Sequence, residues 1–162
     1  MVAGATKVSG LVYEELRGII LMKLREYERT AITIVEGAHR KTISQKDVLY
    51  AVELSGQKTY HASGELKKCK ITTKKKLESK IKDYQSRHDC VFINRSSMNR
   101  LMKEVSEDFG EFRFSEDAKA TLHISVEQYI IGVVTKAVNA MLHAHRVILH
   151  IQDISLVRKM CQ

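Results

Sequence analysis

Two arginine–aspartate pairs recur at one spacing in the two halves of this chain. Arg40 precedes Asp47 by seven residues, and Arg146 precedes Asp153 by seven. Each arginine closes the same triplet, Ala38-His39-Arg40 in the first half and Ala144-His145-Arg146 in the second. The chemistry this favours is clamping. A planar guanidinium donates two parallel hydrogen bonds to a carboxylate, and lysine cannot reproduce that geometry. A single Arg-x6-Asp carries no information. Two copies at matching positions mark an internal repeat. In each copy the triplet falls at the end of a long apolar-periodic stretch and the aspartate in the first turn of a short one, so each pair is expected to pin a loop against the helix that follows it.

Little else in the chain suggests bond-making chemistry. Cys69, Cys90 and Cys161 are odd in number and lack CxxC spacing, which supports neither a disulfide framework nor a zinc site. There is no GxGxxG, P-loop or HExxH motif, and the seven histidines are scattered. The expectation is a protein that is not an enzyme, with no catalytic residues, no metal and no cofactor. The charge is more telling. Net charge is +8 and the pI about 9.4, which favours polyanions. Residues 57–90 hold ten Lys/Arg against four Asp/Glu, so most of the excess lies in the middle of the chain. The amino-terminal residues have no apolar signal core and no apolar run reaches membrane-spanning length, so no membrane partner is expected.

Proline and tryptophan are absent and glycine is sparse, which points to an all-α chain. Residues 11–38 place apolar side chains at steps of three and four, from Val12 and Leu16 to Val35 and Ala38, with Ser9 as a cap and Glu14 and Glu15 near the positive end of the helix dipole. A basic loop follows, then a short helix over 45–54 opened by Ser44 and Asp47. Residues 57–76 read as a basic linker and Leu77–Arg87 as a short polar helix. The second half places a short helix around Met98–Val105, a loop at Arg113-Phe114, a long helix capped by Ser115 and a short last helix carrying Ile154 and Val157.

These motifs resemble the core histones. Lys7-Val-Ser-Gly-Leu-Val-Tyr-Glu-Glu-Leu-Arg17-Gly and Arg40-Lys-Thr-Ile-Ser-Gln-Lys-Asp47-Val-Leu-Tyr50-Ala resemble the central helix, second loop and last helix of histone four. Arg100-Leu-Met-Lys-Glu-Val-Ser-Glu-Asp108-Phe, Arg113-Phe114, His143-Ala-His-Arg146-Val and Gln152-Asp153-Ile resemble histone three, and Lys82-Asp-Tyr84-Gln85 is similar to its extra N-terminal helix. The resemblance implies two histone folds in tandem forming an intramolecular handshake pair. Residues 1–56 would be a histone-four-like fold with its first short helix largely missing, 57–76 the linker and 77–162 a histone-three-like fold. The four-three order resembles the fused histone doublets of certain giant viruses.

The function so implied is packaging of double-stranded DNA without sequence readout, as the central tetramer equivalent of a nucleosome-like particle. It would be found in chromatin of that kind, and in a virion, host nucleus or viral factory if viral. DNA contacts carried over by resemblance are Lys7, Lys41, Thr42, Arg100, Lys103, Arg113, Arg146 and Val147, with Arg40 and Arg146 serving their aspartates first. His143 and Asp153 match the contact through which a second copy would join, and further core-histone partners of the two-A and two-B type, themselves separate or fused, would complete the particle. The chain departs from the family pattern at His39 and His145, where lysine is usual, at Ile151, where proline is usual, and near Gly110, where the first loop is one residue short. The alternative reading is a histone-fold transcription-factor subunit that binds DNA as a single heterodimer-like unit.

Overall fold

A computed structural model describes residues 7–57, 67–68 and 90–160. The expected helix at 77–87 and most of the basic linker lie outside the described residues. Five helices are present among them: α1 (Gly10–Gly37), α2 (Gln45–Leu54), α3 (Arg95–Glu107), α4 (Glu116–His143) and α5 (Ile151–Met160). Two-residue strands punctuate them: β1 (Lys7–Val8), β2 (Thr42–Ile43), β3 (Lys67–Lys68), β4 (Cys90–Val91), β5 (Arg113–Phe114) and β6 (Ile148–Leu149). Each half of the sequence thus carries one 28-residue helix followed by a loop and a 10-residue helix.

The chain divides into two compact units, and the division cuts each long helix near its middle. One unit comprises Met1–Met22 and Gln128–Gln162, the other Lys23–Glu127. The first unit has an apolar core, with the Asp153 carboxylate buried beside it. Val12 and Ile19 of α1 pack with Val133, Val134, Ala137, Val138 and Met141 of α4 and with Leu149, Ile154 and Val157. The three-and-four spacing puts these residues on one stripe of each helix, and burial of the stripe drives the packing. β1 pairs in parallel with β6, Lys7 beside Ile148 and Val8 beside Leu149, and Ser9 N–H extends the ladder to the Leu149 carbonyl. Arg158 of α5 reaches Glu15 of α1 at 3.0 Å. Neither Glu14 nor Glu15 falls in the first turn of α1, so Glu15 serves this pair instead of the helix dipole.

The second unit is built differently. Its core includes Leu24, Tyr27, Ala31, Ile32 and Val35 of α1, Val48, Ala51 and Val52 of α2, Met98, Met102 and Val105 of α3, and Ala118, Leu122 and Val126 of α4. β2 pairs in parallel with β5, Thr42 beside Arg113 and Ile43 beside Phe114, while β3 pairs in parallel with β4. Buried polar side chains share this core. All seven residues from Thr121 to Glu127 are buried, so α4 is covered on every side there, where the sequence pattern implies a single apolar stripe. Most of the polar atoms find partners: Gln45 Nε2 donates to Thr121 Oγ1 at 3.1 Å, Ser125 Oγ to the Thr121 carbonyl at 2.8 Å, and Phe92 and Ile93 N–H to Glu127 Oε1 at 2.6 and 3.0 Å. Burial nevertheless raises the Glu127 carboxyl above its ordinary value, the two N–H donors opposing it.

Candidate nucleic-acid interface

The loops that follow the long helices are built to one plan. At the end of α1, His39 N–H donates to the Glu36 carbonyl at 2.9 Å and Arg40 N–H to the Val35 carbonyl at 3.0 Å. At the end of α4, His145 N–H donates to Leu142 at 2.9 Å and Arg146 N–H to Met141 at 3.1 Å. This crossed pattern is the Schellman ending, which requires a left-handed residue at its centre. His39 and His145 fill that place, both with φ of 53°, and among the described residues they are the non-glycine residues with positive φ.

The arginine after each histidine then clamps the next helix. Arg40 Nη1 and Nη2 donate to Asp47 at 3.3 and 2.9 Å, and Arg146 Nη1 and Nη2 to Asp153 at 3.1 and 2.5 Å. Ser44 adds its N–H and hydroxyl to Asp47 at 2.8 and 2.7 Å, and His150 its N–H to Asp153 at 3.0 Å. Burial opposes ionisation of both aspartates. The hydrogen bonds and the arginine charges outweigh it and hold both carboxyls below the ordinary carboxylate value. The loop pinning expected from the Arg-x6-Asp repeat is therefore formed twice, once in each unit.

The strand pairs gather six of the eight residues expected at DNA into two groups. In the second unit Arg113 N–H donates to the Lys41 carbonyl at 3.0 Å and Ser115 N–H to the Ile43 carbonyl at 3.0 Å. Exposed Lys41, Thr42 and Arg113 are thus held side by side, and Ser115 caps α4 through Ala118 N–H at 3.2 Å. In the first unit exposed Lys7 lies in register with Ile148, next to Val147 and Arg146. Arg100 and Lys103 are exposed on α3, not in either strand pair, and Lys103 comes within 3.9 Å of Glu107. Of the pair expected at a contact between copies, His143 is exposed and lines an apolar groove of about 380 Å³ with Lys136, Asn139, Ala140, Val157 and Met160. Asp153 is buried, with its carboxylate occupied by Arg146 and His150.

Two residues that sequence reasoning missed are Glu28 and His123. Both are buried, and among the described residues neither has a hydrogen-bond partner for its side chain. Burial pushes the Glu28 carboxyl up to about 8. Burial, with the nearby charge of Arg95, pushes the His123 imidazole down to about 4. A signal for Glu28 was present: it lies four residues from both Leu24 and Ile32, on the buried side of α1. Among the described residues no helix is long and apolar enough to cross a membrane.

Comparison with known proteins places this geometry. The family model for the core histone domain, which spans histones two-A, two-B, three and four, matches residues 72–160, over half of the chain. Among solved structures, the histone from Methanopyrus kandleri matches with a TM-score of 0.57 and 13% sequence identity. The match covers 95% of this chain and 83% of that one, and at this identity it is a likeness of fold.

Proposed function

The chain belongs to the core-histone family, and from that premise we propose that it is a fused histone pair that packages double-stranded DNA in a nucleosome-like particle. One observation carries the reading: the reciprocal pairing of the loops. The loop before α1 pairs with the loop after α4, and the loop after α1 with the loop before α4. In both cases a loop of the first sequence half joins a loop of the second, as expected where two histone folds on one chain clasp head to tail. Each pairing brings cations together, exposed Lys7 near half-buried Arg146 in one unit and exposed Lys41 beside exposed Arg113 in the other.

Such an edge suits the phosphate backbone and not the base edges. Its exposed side chains are cationic, hydroxyl or apolar, and short strand ends present backbone amides to phosphates. Binding of this kind is sequence-blind and steeply salt-dependent. The histone octamer is itself the general example of DNA wrapped without base-specific contacts. The decisive experiment is nuclease digestion of DNA assembled with the purified protein and a complementary pair of core histones. A discrete protected length is expected. A smear at every salt concentration would favour a single DNA-binding unit of the transcription-factor kind.

The groove beside His143 supports the second part of the reading, in which two copies join through their C-terminal histone folds. Met160 of the groove is exposed, and exposed Leu142 and Leu156 lie on the same two helices, α4 and α5. A second copy covering the groove would remove that surface from water. His143→Glu is expected to halve the mass seen by light scattering at micromolar protein while leaving the helical circular dichroism unchanged. An unaltered mass would place the contact elsewhere.

A further inference from the structure

We propose that the two DNA edges are unequal: the edge formed by Lys41, Thr42 and Arg113 is the anchor, and the edge formed by Lys7, Val147 and Ile148 holds DNA weakly. This rests on the DNA-packaging reading and extends it to where the DNA is most easily released.

The two edges share one backbone plan, so their side chains can be compared place by place. Residues of the second loop stand 106 positions beyond those of the first, Arg146 beyond Arg40 and Asp153 beyond Asp47. Thr42 lies beside Arg113 and Ile43 beside Phe114, as Ile148 lies beside Lys7 and Leu149 beside Val8. The residue after each partner strand completes the ladder: Ser115 N–H donates to the Ile43 carbonyl at 3.0 Å, and Ser9 N–H to the Leu149 carbonyl at 3.1 Å. Ile43 and Leu149 are both fully buried. Successive strand side chains point to opposite faces, so Thr42 and Ile148 are both turned outward.

What differs is the chemistry presented there. Val147 stands in the place of Lys41 and Ile148 in the place of Thr42, and these two apolar side chains are 64% and 41% exposed. The partner strand supplies an exposed cation in both cases, Arg113 or Lys7. The clamping arginines and the histidines before them are common to both loops. In the first turn of the next helix, exposed Lys46 is matched by exposed Gln152, so a further cation is missing from the second edge. His150 stands in the place of Ser44, and its N–H is spent on Asp153 as that of Ser44 is on Asp47. A phosphate at the first edge thus meets two cations and a hydroxyl donor. At the second it meets Lys7 alone, and an isoleucine that displaces water from its oxygens without returning a hydrogen bond.

The weak edge belongs to the unit of Met1–Met22 and Gln128–Gln162, which also carries the groove beside His143. DNA is therefore held least on the unit through which two copies are proposed to join.

Affinity of the full chain for a random-sequence duplex, measured against salt concentration at pH 8, tests this. Each phosphate neutralised contributes about 0.9 to the slope of log affinity against log salt. Lys41→Gln with Arg113→Gln should flatten the slope by about 1.8, and Lys7→Gln by only about 0.9. Val147→Lys with Ile148→Thr gives the second edge the side chains of the first, and should steepen the slope by about 0.9. Circular dichroism of each variant verifies folding. Equal losses at the two edges would overturn the proposal while leaving DNA packaging intact. So would an unchanged slope in the Val147→Lys, Ile148→Thr variant; a lower mass by light scattering in that same protein would assign the exposed pair to a protein contact. No DNA binding by the natural chain at any salt concentration would overturn both readings.

Discussion

At pH 8, Glu28→Leu is expected to be more stable than the natural chain by about 2–4 kcal/mol, with the gain shrinking as the pH falls towards 5. Glu28 is fully buried, and neither carboxylate oxygen has a hydrogen-bond partner among the described residues. Its carboxyl therefore stays protonated in the folded chain up to about 8, against an ordinary 4.5. The difference sets a ceiling of roughly 5 kcal/mol at 1.36 kcal/mol per pH unit. Relaxation and water entry lower what is realised. The sign follows from proton counting. Above 4.5 the unfolded chain loses the proton that the folded chain keeps, so stability falls as pH rises, until the folded group also ionises near 8.

His123 acts in the opposite direction. Its imidazole, held at about 4 against an ordinary 6.5, makes stability fall as the solution is acidified below 6.5. Between about 4.5 and 6.5 the two effects offset each other. From 6.5 to 8 only that of Glu28 remains. Urea unfolding of the natural chain should therefore show stability declining over that upper interval, and Glu28→Leu should abolish the decline. Equal stability of the natural chain at pH 6.5 and 8 would show that Glu28 is not held neutral.

The clamps supply the second large effect. Asp47→Asn and Asp153→Asn are each expected to lower stability by about 1–2 kcal/mol at pH 7, the first by more. Asp47 accepts from Arg40 twice and from the Ser44 N–H and hydroxyl, whereas Asp153 accepts from Arg146 twice and from His150 N–H alone. An amide offers one neutral acceptor and turns its own N–H groups towards other donors. The loss stays below that of a fully buried pair, because the Arg40 and Arg146 side chains are 46% and 36% exposed and remain hydrated when released. Both folded carboxyls titrate below the ordinary 3.8. Their contribution is complete above that value and is lost as pH falls through the lower folded one. Natural and variant proteins should therefore converge in strong acid. A difference that persists after the carboxylates are protonated would trace the effect to packing instead of charge.

The repeat of Ala-His-Arg and its aspartate was legible because it is local. Seven residues span one loop and one helical turn, so residue type and spacing suffice to place both members of each clamp. The long helices were legible for the same reason, the first within a residue or two of 11–38 and the second from its cap at Ser115. The sequence by itself thus determined the five helices, the two pinned loops and the basic balance of the chain.

Only the tertiary structure decided which loops lie side by side. Thr42 and Arg113, like Lys7 and Ile148, are far apart in the chain, and short parallel pairs carry no periodic signature. Nor could periodicity show that α4 is enclosed on every side from Thr121 to Glu127, or that Glu28 is buried without a partner among the described residues. A helical pattern reports one apolar stripe. What covers the rest of the helix depends on segments that arrive from elsewhere in the chain, and that burial is what moves the Glu28 carboxyl and the His123 imidazole to opposite ends of the working pH range.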